Sequence, residues 1–160
     1  MRLQEFLLDF HTRAHRSLQG LLKHCHNLTE KELNQELEGF GFPTIQLQLD
    51  HIVGAEQYWI GVLKRSLDDF DDSLIFPSLE SLETYRDEVF NATELFLTST
   101  TTAELETVRP MMTWGKVEKN LSPLQVIIRT QTHIYQHQGQ ILAMCRLFGK
   151  PCSGLDYPID

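Results

Sequence analysis

Residues 122–151 read SPLQVIIRTQTHIYQHQGQILAMCRLFGKP, and the fold follows from how this stretch begins, repeats and stops. Ser122, Pro123 and Gln125 supply a capping serine, a first-turn proline and a glutamine three residues on, a combination that starts helices. Gly149 accepts the left-handed backbone that closes a helix and Pro151 cannot continue one, so the helix is predicted to end near Phe148. Between these marks Val126, Thr130, His133, His137, Gln140 and Met144 share one face at helical spacing. The stripe is apolar at its ends and polar in its middle. This predicts that the two imidazoles face a bundle interior and need partners there.

Upstream the same spacing recurs. Leu3, Phe6, Leu7, Phe10, Ala14, Leu18, Leu21, Leu22, Cys25 and Leu28 mark one face of a first helix over residues 2–26. Residues 29–42 are looser, the GFGFP run at 39–43 turns the chain, and Thr44 is placed to cap a second helix that runs to about Lys64. Its apolar residues spread from Ile45, Leu49, Ile52, Trp59 and Leu63 sideways to Ala55, Tyr58 and Val62, as suits a central helix. The SLDDFDDS segment at 66–73 concentrates four aspartates and is expected to be a solvated linker. A third helix is predicted from about Ser78 to Thr98, with Glu80, Glu83, Asp87 and Glu88 on its outer side. Residues 105–120, with Pro110 and a Trp114-Gly115 pair between β-formers, read as an irregular loop or a short hairpin turning near Gly115. Four helices of roughly 20 to 27 residues, each with one inward stripe, pack most simply as an all-α four-helix bundle forming a single domain.

The 160 residues carry 14 Lys and Arg against 22 Asp and Glu, a formal charge of −8. Such a chain is repelled by the phosphate backbone, which argues against nucleic-acid binding. No stretch approaches the roughly 18 apolar residues of a membrane span, and Glu5 and Asp9 interrupt the N-terminal segment where a signal peptide would stay apolar. A cytoplasmic protein is expected. Cys25, Cys145 and Cys152 are odd in number and lack CxxC spacing, which fits reduced thiols.

Among the seven histidines, His133 and His137 lie one turn apart with Cβ atoms roughly 6 Å from each other, a spacing that can chelate a metal ion. His11 and His15 repeat that spacing in the first helix, but Arg13 and Arg16 accompany them, and they are expected at its edge or surface. His24 and His26 flank Cys25 and read as solvated terminal residues. His51 shares a face with Leu47, Ala55, Tyr58 and Val62 and is expected to point into the bundle. Alone it would be a core histidine bonded to a neighbour; beside the last-helix pair it is the natural third ligand.

TIQLQLDHIVGAEQYW resembles the second-helix motif of the DinB-like (DinB/YfiT) superfamily, in which a Ser or Thr at the helix start precedes a ligand histidine by seven residues. THIYQHQGQILAMCRLFGKP resembles its fourth-helix motif, where HxxxH is followed by Gly-Gln, an apolar run and a terminal Gly. The helix order, the segment before the last helix and the near-terminal Asp156 also fit. The resemblance implies a four-helix bundle holding one divalent metal through His51, His133 and His137, and often a homodimer. The chain departs from many members before the second helix, where LEGFGFP replaces a tryptophan-containing segment, and this affects the shape of the pocket mouth.

Three neutral imidazoles leave a zinc-like ion an open position. Cys145, eight residues beyond His137, is about 12 Å further along the helix, and Glu56 points roughly 140° away from His51, so neither closes the site. Gln140, one turn from His137, lines the cavity, holds an imidazole in its metal-binding tautomer or simply packs. Zinc or nickel is expected ahead of iron or manganese. Relatives that act on low-molecular-weight thiols make a thiol S-transferase or a hydrolase the leading expectation. The competing ones are a non-catalytic metal-binding or stress-response protein, and a site whose histidines are satisfied by water or by one another. No general base presents itself beyond the ligands.

Overall fold

The computed structural model describes residues 2–67 and 75–159. Helix α1 spans Leu3–Cys25, a short α2 spans Glu30–Asn34, and α3 spans Ile45–Lys64. Helix α4 covers Leu79–Ser99 and a short α5 covers Thr102–Glu106. Strands β1 (Arg109–Thr113) and β2 (Val117–Leu121) then precede α6 (Pro123–Leu147). The expected all-α bundle is therefore present, formed by α1, α3, α4 and α6, and the segment before α6 is the hairpin. The acidic linker lies, from residue 68 on, outside the described residues.

Helix starts follow local hydrogen-bond chemistry. Thr44 Oγ accepts from Leu47 N at 3.1 Å to open α3. At α6 the Ser122 hydroxyl accepts from Gln125 N while Gln125 Oε1 accepts from Ser122 N at 2.9 Å, the reciprocal box its sequence announced. The same box, Thr29 with Glu32 and Thr101 with Glu104, nucleates α2 and α5. In the hairpin, Met111 faces Lys119 at the centre of the register. Gly115 (φ 65) and Lys116 (φ 60) are both left-handed and reverse the chain. Glycine adopts that backbone freely, whereas a lysine there costs roughly 1 kcal/mol.

Helix α3 packs on both α4 and α6, and α1 closes the bundle against the same two helices. α3 and α6 are antiparallel, since Gln48 meets Gln140 near one end and Glu56 meets Gln131 further along. The apolar core comes in two parts. One gathers Leu18, Leu22, Ile52, Leu82, Ile134 and Ile141; the other gathers Leu7, Tyr58, Trp59, Leu97, Met111 and Ile127. Between them lies a buried polar layer built from His11, His15, Glu56, Thr93 and Gln131. The C-terminal tail returns over the bundle, with Gln138 Nε2 donating to the Leu155 carbonyl and Arg13 Nη1 to that of Pro158 at 2.9 Å. Gly20 admits this tail, because a Cβ there would lie 2.8 Å from Leu155 Cδ2. All three cysteines are free thiols, Cys25 and Cys145 buried. Among the described residues no helix is long and apolar enough to cross a membrane.

Candidate metal centre

His51 from α3 and His133 and His137 from α6 converge in the groove between these helices, each offering a ring nitrogen within 4.8 Å of the others. His133 Nε2 and His137 Nε2 are 3.1 Å apart. Two ligands on a tetrahedral zinc, with bonds of roughly 2.0–2.1 Å, stand about 3.3 Å from each other, so the spacing suits one shared ion. Phe42, from the turn before α3, stacks on His51 with ring centroids 4.1 Å apart and covers that side of the group. Among the described residues no thiol or carboxylate joins the three histidines as a fourth donor.

The protonation of His137 follows from its neighbour. Gln48, fully buried, donates through Nε2 to the Phe42 carbonyl at 2.8 Å and to Gln140 Oε1 at 2.9 Å. Its amide nitrogen is thereby spent, and Gln48 Oε1 can only accept, from His137 Nδ1. With the proton on Nδ1, the His137 Nε2 lone pair points at His133, the arrangement a metal-binding imidazole needs. Burial, with the repulsion that a protonated His137 and the Arg129 guanidinium would exert, holds His51 down to about 4. His133 is held at about 4 by burial and by His137, His51 and Arg129. Burial also lowers His137. All three are therefore neutral, and available as ligands, at physiological pH.

A second group lies in the polar layer. His11, His15 and Glu56 also bring donor atoms within 4.8 Å of one another, all at most 2% exposed. Its protons are already committed. Arg86 Nη1 lies 3.5 Å from His15 Nδ1, and a guanidinium can only donate, so the other ring nitrogen carries the His15 proton and gives it to Glu56 Oε2 at 2.7 Å. Thr93 donates to Glu56 Oε1 at 2.7 Å, and His11 Nε2 donates to the Phe90 carbonyl at 3.2 Å. An ion here would need the His15 nitrogen that this bond already uses. The layer is a hydrogen-bonded charge network: burial pushes the Glu56 carboxyl up, but His15, His11 and Thr93 outweigh it and hold it at about 2.

Of the two expectations about the HxxxH pairs, one is overturned. His11 and His15, expected at an edge or surface, are buried in the core, because Glu56 and the Phe90 carbonyl satisfy them there. His137, expected to face the interior, is 5% exposed, and His51 and His133 beside it are partly buried, so the three rings converge as expected. Glu56 points away from His51 as expected, and His26 is partly exposed, 3.2 Å from Glu83. Of the roles left open for Gln140, the contact seen is with Gln48, whose amide it accepts from at 2.9 Å, so that it reaches His137 only through Gln48. Asp156 is exposed in the tail, where it accepts from Tyr157 N. Sequence reasoning missed Gln48, Phe42 and the Glu56 layer. The available signals were Gln48 one turn before His51 and Glu56, a carboxylate set on the helix between Val53 and the apolar run from Tyr58 to Leu63.

No curated protein matches the chain. The family model of the DinB family matches residues 6–160, nearly the whole chain and every element from α1 to the tail. With its bundle and histidine groove, the chain belongs to the DinB family.

Proposed function

We propose that His51, His133 and His137 hold one divalent transition-metal ion, zinc or nickel ahead of iron or manganese, in a metal-dependent enzyme of the thiol S-transferase or hydrolase type. The observation that carries this is the meeting of three neutral imidazoles in one groove, with the His137 lone pair turned toward His133 by Gln48. When bound, such an ion would lower the pKa of a coordinated water toward about 7 or hold a substrate thiol as its thiolate. The chain's own residues do the rest. Gln48 keeps the His137 proton on Nδ1, burial keeps His51 and His133 uncharged, and Phe42 shields the His51 ring from water.

Elemental analysis of untagged protein should find about one transition metal per chain, lost in a His133→Ala, His137→Ala double variant that keeps its helical circular dichroism. No metal in the wild type, even after reconstitution with zinc or nickel, overturns the reading. A second reading, a metal-binding protein without turnover, is favoured by one observation: among the described residues no carboxylate stands with the three histidines as a base. Conversion of electrophiles by low-molecular-weight thiols, absent in His133→Ala, separates the two. The proposed assembly is a homodimer in the cytoplasm. Its interface would lie away from Trp59, which is 4% exposed and spent inside the chain's own core, and sedimentation would read its mass.

A further inference from the structure

The chain has two tryptophans, and they form one corner beside the histidine groove. Trp59 is buried in α3 and Trp114 is half-exposed at the hairpin turn, their rings 4.8 Å apart at 83°. Tyr58 supports Trp114, stacked nearly parallel at 4.8 Å and 3°. Arg129 reaches into this corner, its guanidinium 5.1 Å from the Trp59 ring and 5.4 Å from that of Trp114. It stands one helical turn before His133 on α6, so their Cα atoms are about 6 Å apart. Its charge is among the causes that keep His51 and His133 low.

Arg129 lacks the usual partner. The chain has 22 acidic residues, yet among the described residues no hydrogen bond or ion pair engages the Arg129 guanidinium, which remains exposed. Aromatic rings hold a guanidinium by its face and leave its edge of N–H donors free. That edge fits a carboxylate through two parallel hydrogen bonds, and one guanidinium balances one such charge. The two indoles also remove much of the freedom a surface arginine would otherwise lose on binding an anion.

We propose that Arg129, held between Trp59 and Trp114, is the anion-binding element of the histidine site, and that the small-molecule substrate carries a carboxylate a short chain away from the group that meets the metal. This rests on the metal reading above and adds the substrate's charge to it. Because both tryptophans lie in the corner, tryptophan fluorescence, excited selectively over the four tyrosines, reports on it alone.

The experiment titrates zinc-loaded protein with mercaptoacetate, 3-mercaptopropionate and 4-mercaptobutyrate, each beside its uncharged amide, in the wild type, Arg129→Gln and Arg129→Lys. At least one acid should bind tenfold or more tightly than its amide, with a tryptophan response. Arg129→Gln should erase the difference at unchanged zinc content, and Arg129→Lys should restore part of it. Propionate, which has no thiol, should perturb the fluorescence of metal-free wild type but not of metal-free Arg129→Gln. Equal binding of acids and amides with zinc in place, or a preference that survives Arg129→Gln, overturns the assignment and leaves the metal centre standing. An Arg129-dependent propionate response in protein that never takes up zinc supports the anion site and removes the metal centre.

Discussion

Gln48 touches no part of the proposed ion, yet the tautomer of His137 depends on it. Gln48→Ala removes the acceptor at Nδ1 and lets the imidazole proton move to the nitrogen that should face the metal. Zinc affinity, measured by competition with a chromophoric chelator, is expected to fall 10- to 100-fold while helical content stays. Unchanged affinity would show that the tautomer is held by other means. The three histidines were legible because helical spacing alone puts His133 and His137 on one face and gives His51 a matching face across the groove. Gln48 was not, since its partners are fixed by the antiparallel pairing of α3 with α6, which joins positions 89 apart in the sequence. Glu56 was half legible. Its direction away from His51 followed from helix geometry, but its partners required knowing that His11 and His15 turn inward.

Element boundaries were readable where caps are written in side chains. Ser122 and Gln125 are the clearest case, and Ser122→Ala should cost about 1 kcal/mol, read as a lower urea midpoint with no change in the slope of the transition. No loss would mean that Pro123 alone sets the start of α6. Thr44 marked the start of α3 as a cap, and Ser78, read only as the approximate start of its helix, caps α4 by accepting from Ser81 N. The short helices α2 and α5 escaped because five residues show no periodicity, although each carries a threonine and a glutamate three apart. The hairpin was left between two readings for a related reason. Only Gly115 announces its turn; the second left-handed residue is Lys116, whose side chain gives no such signal.

Across the whole molecule, the buried titratable groups set the direction of acid sensitivity. In metal-free protein His51 and His133 sit at about 4, and His11 and His137 lie below the ordinary 6.5, mainly through burial. A group depressed in the fold binds protons more readily once unfolded, so its stabilising contribution is present above pH 6.5 and is lost as pH falls through the folded value. Glu56, at about 2 against 4.5, extends the loss to lower pH. Asp50 runs the other way: burial raises it to about 6 from 3.8, and its contribution fades as pH rises through 6. One opposing carboxyl does not offset four imidazoles. Urea midpoints of metal-free protein should therefore drop steadily from pH 7.5 to pH 4, and a flat profile would contradict the burial of these rings.

Glu56 also binds the bundle together mechanically. From α3 it holds His15 of α1, Thr93 of α4 and Gln131 of α6, so no long helix can peel away without stranding a charge between the two apolar halves of the core. Removing one partner of a buried pair costs roughly 3–5 kcal/mol, enough to suppress partial openings of the fold. The slowest-exchanging amides of α1, α3, α4 and α6 should accordingly share one protection free energy, with α2, α5 and the hairpin exchanging sooner through local fraying. In Glu56→Gln that common value should split, and α1 should become the first long helix to exchange by itself.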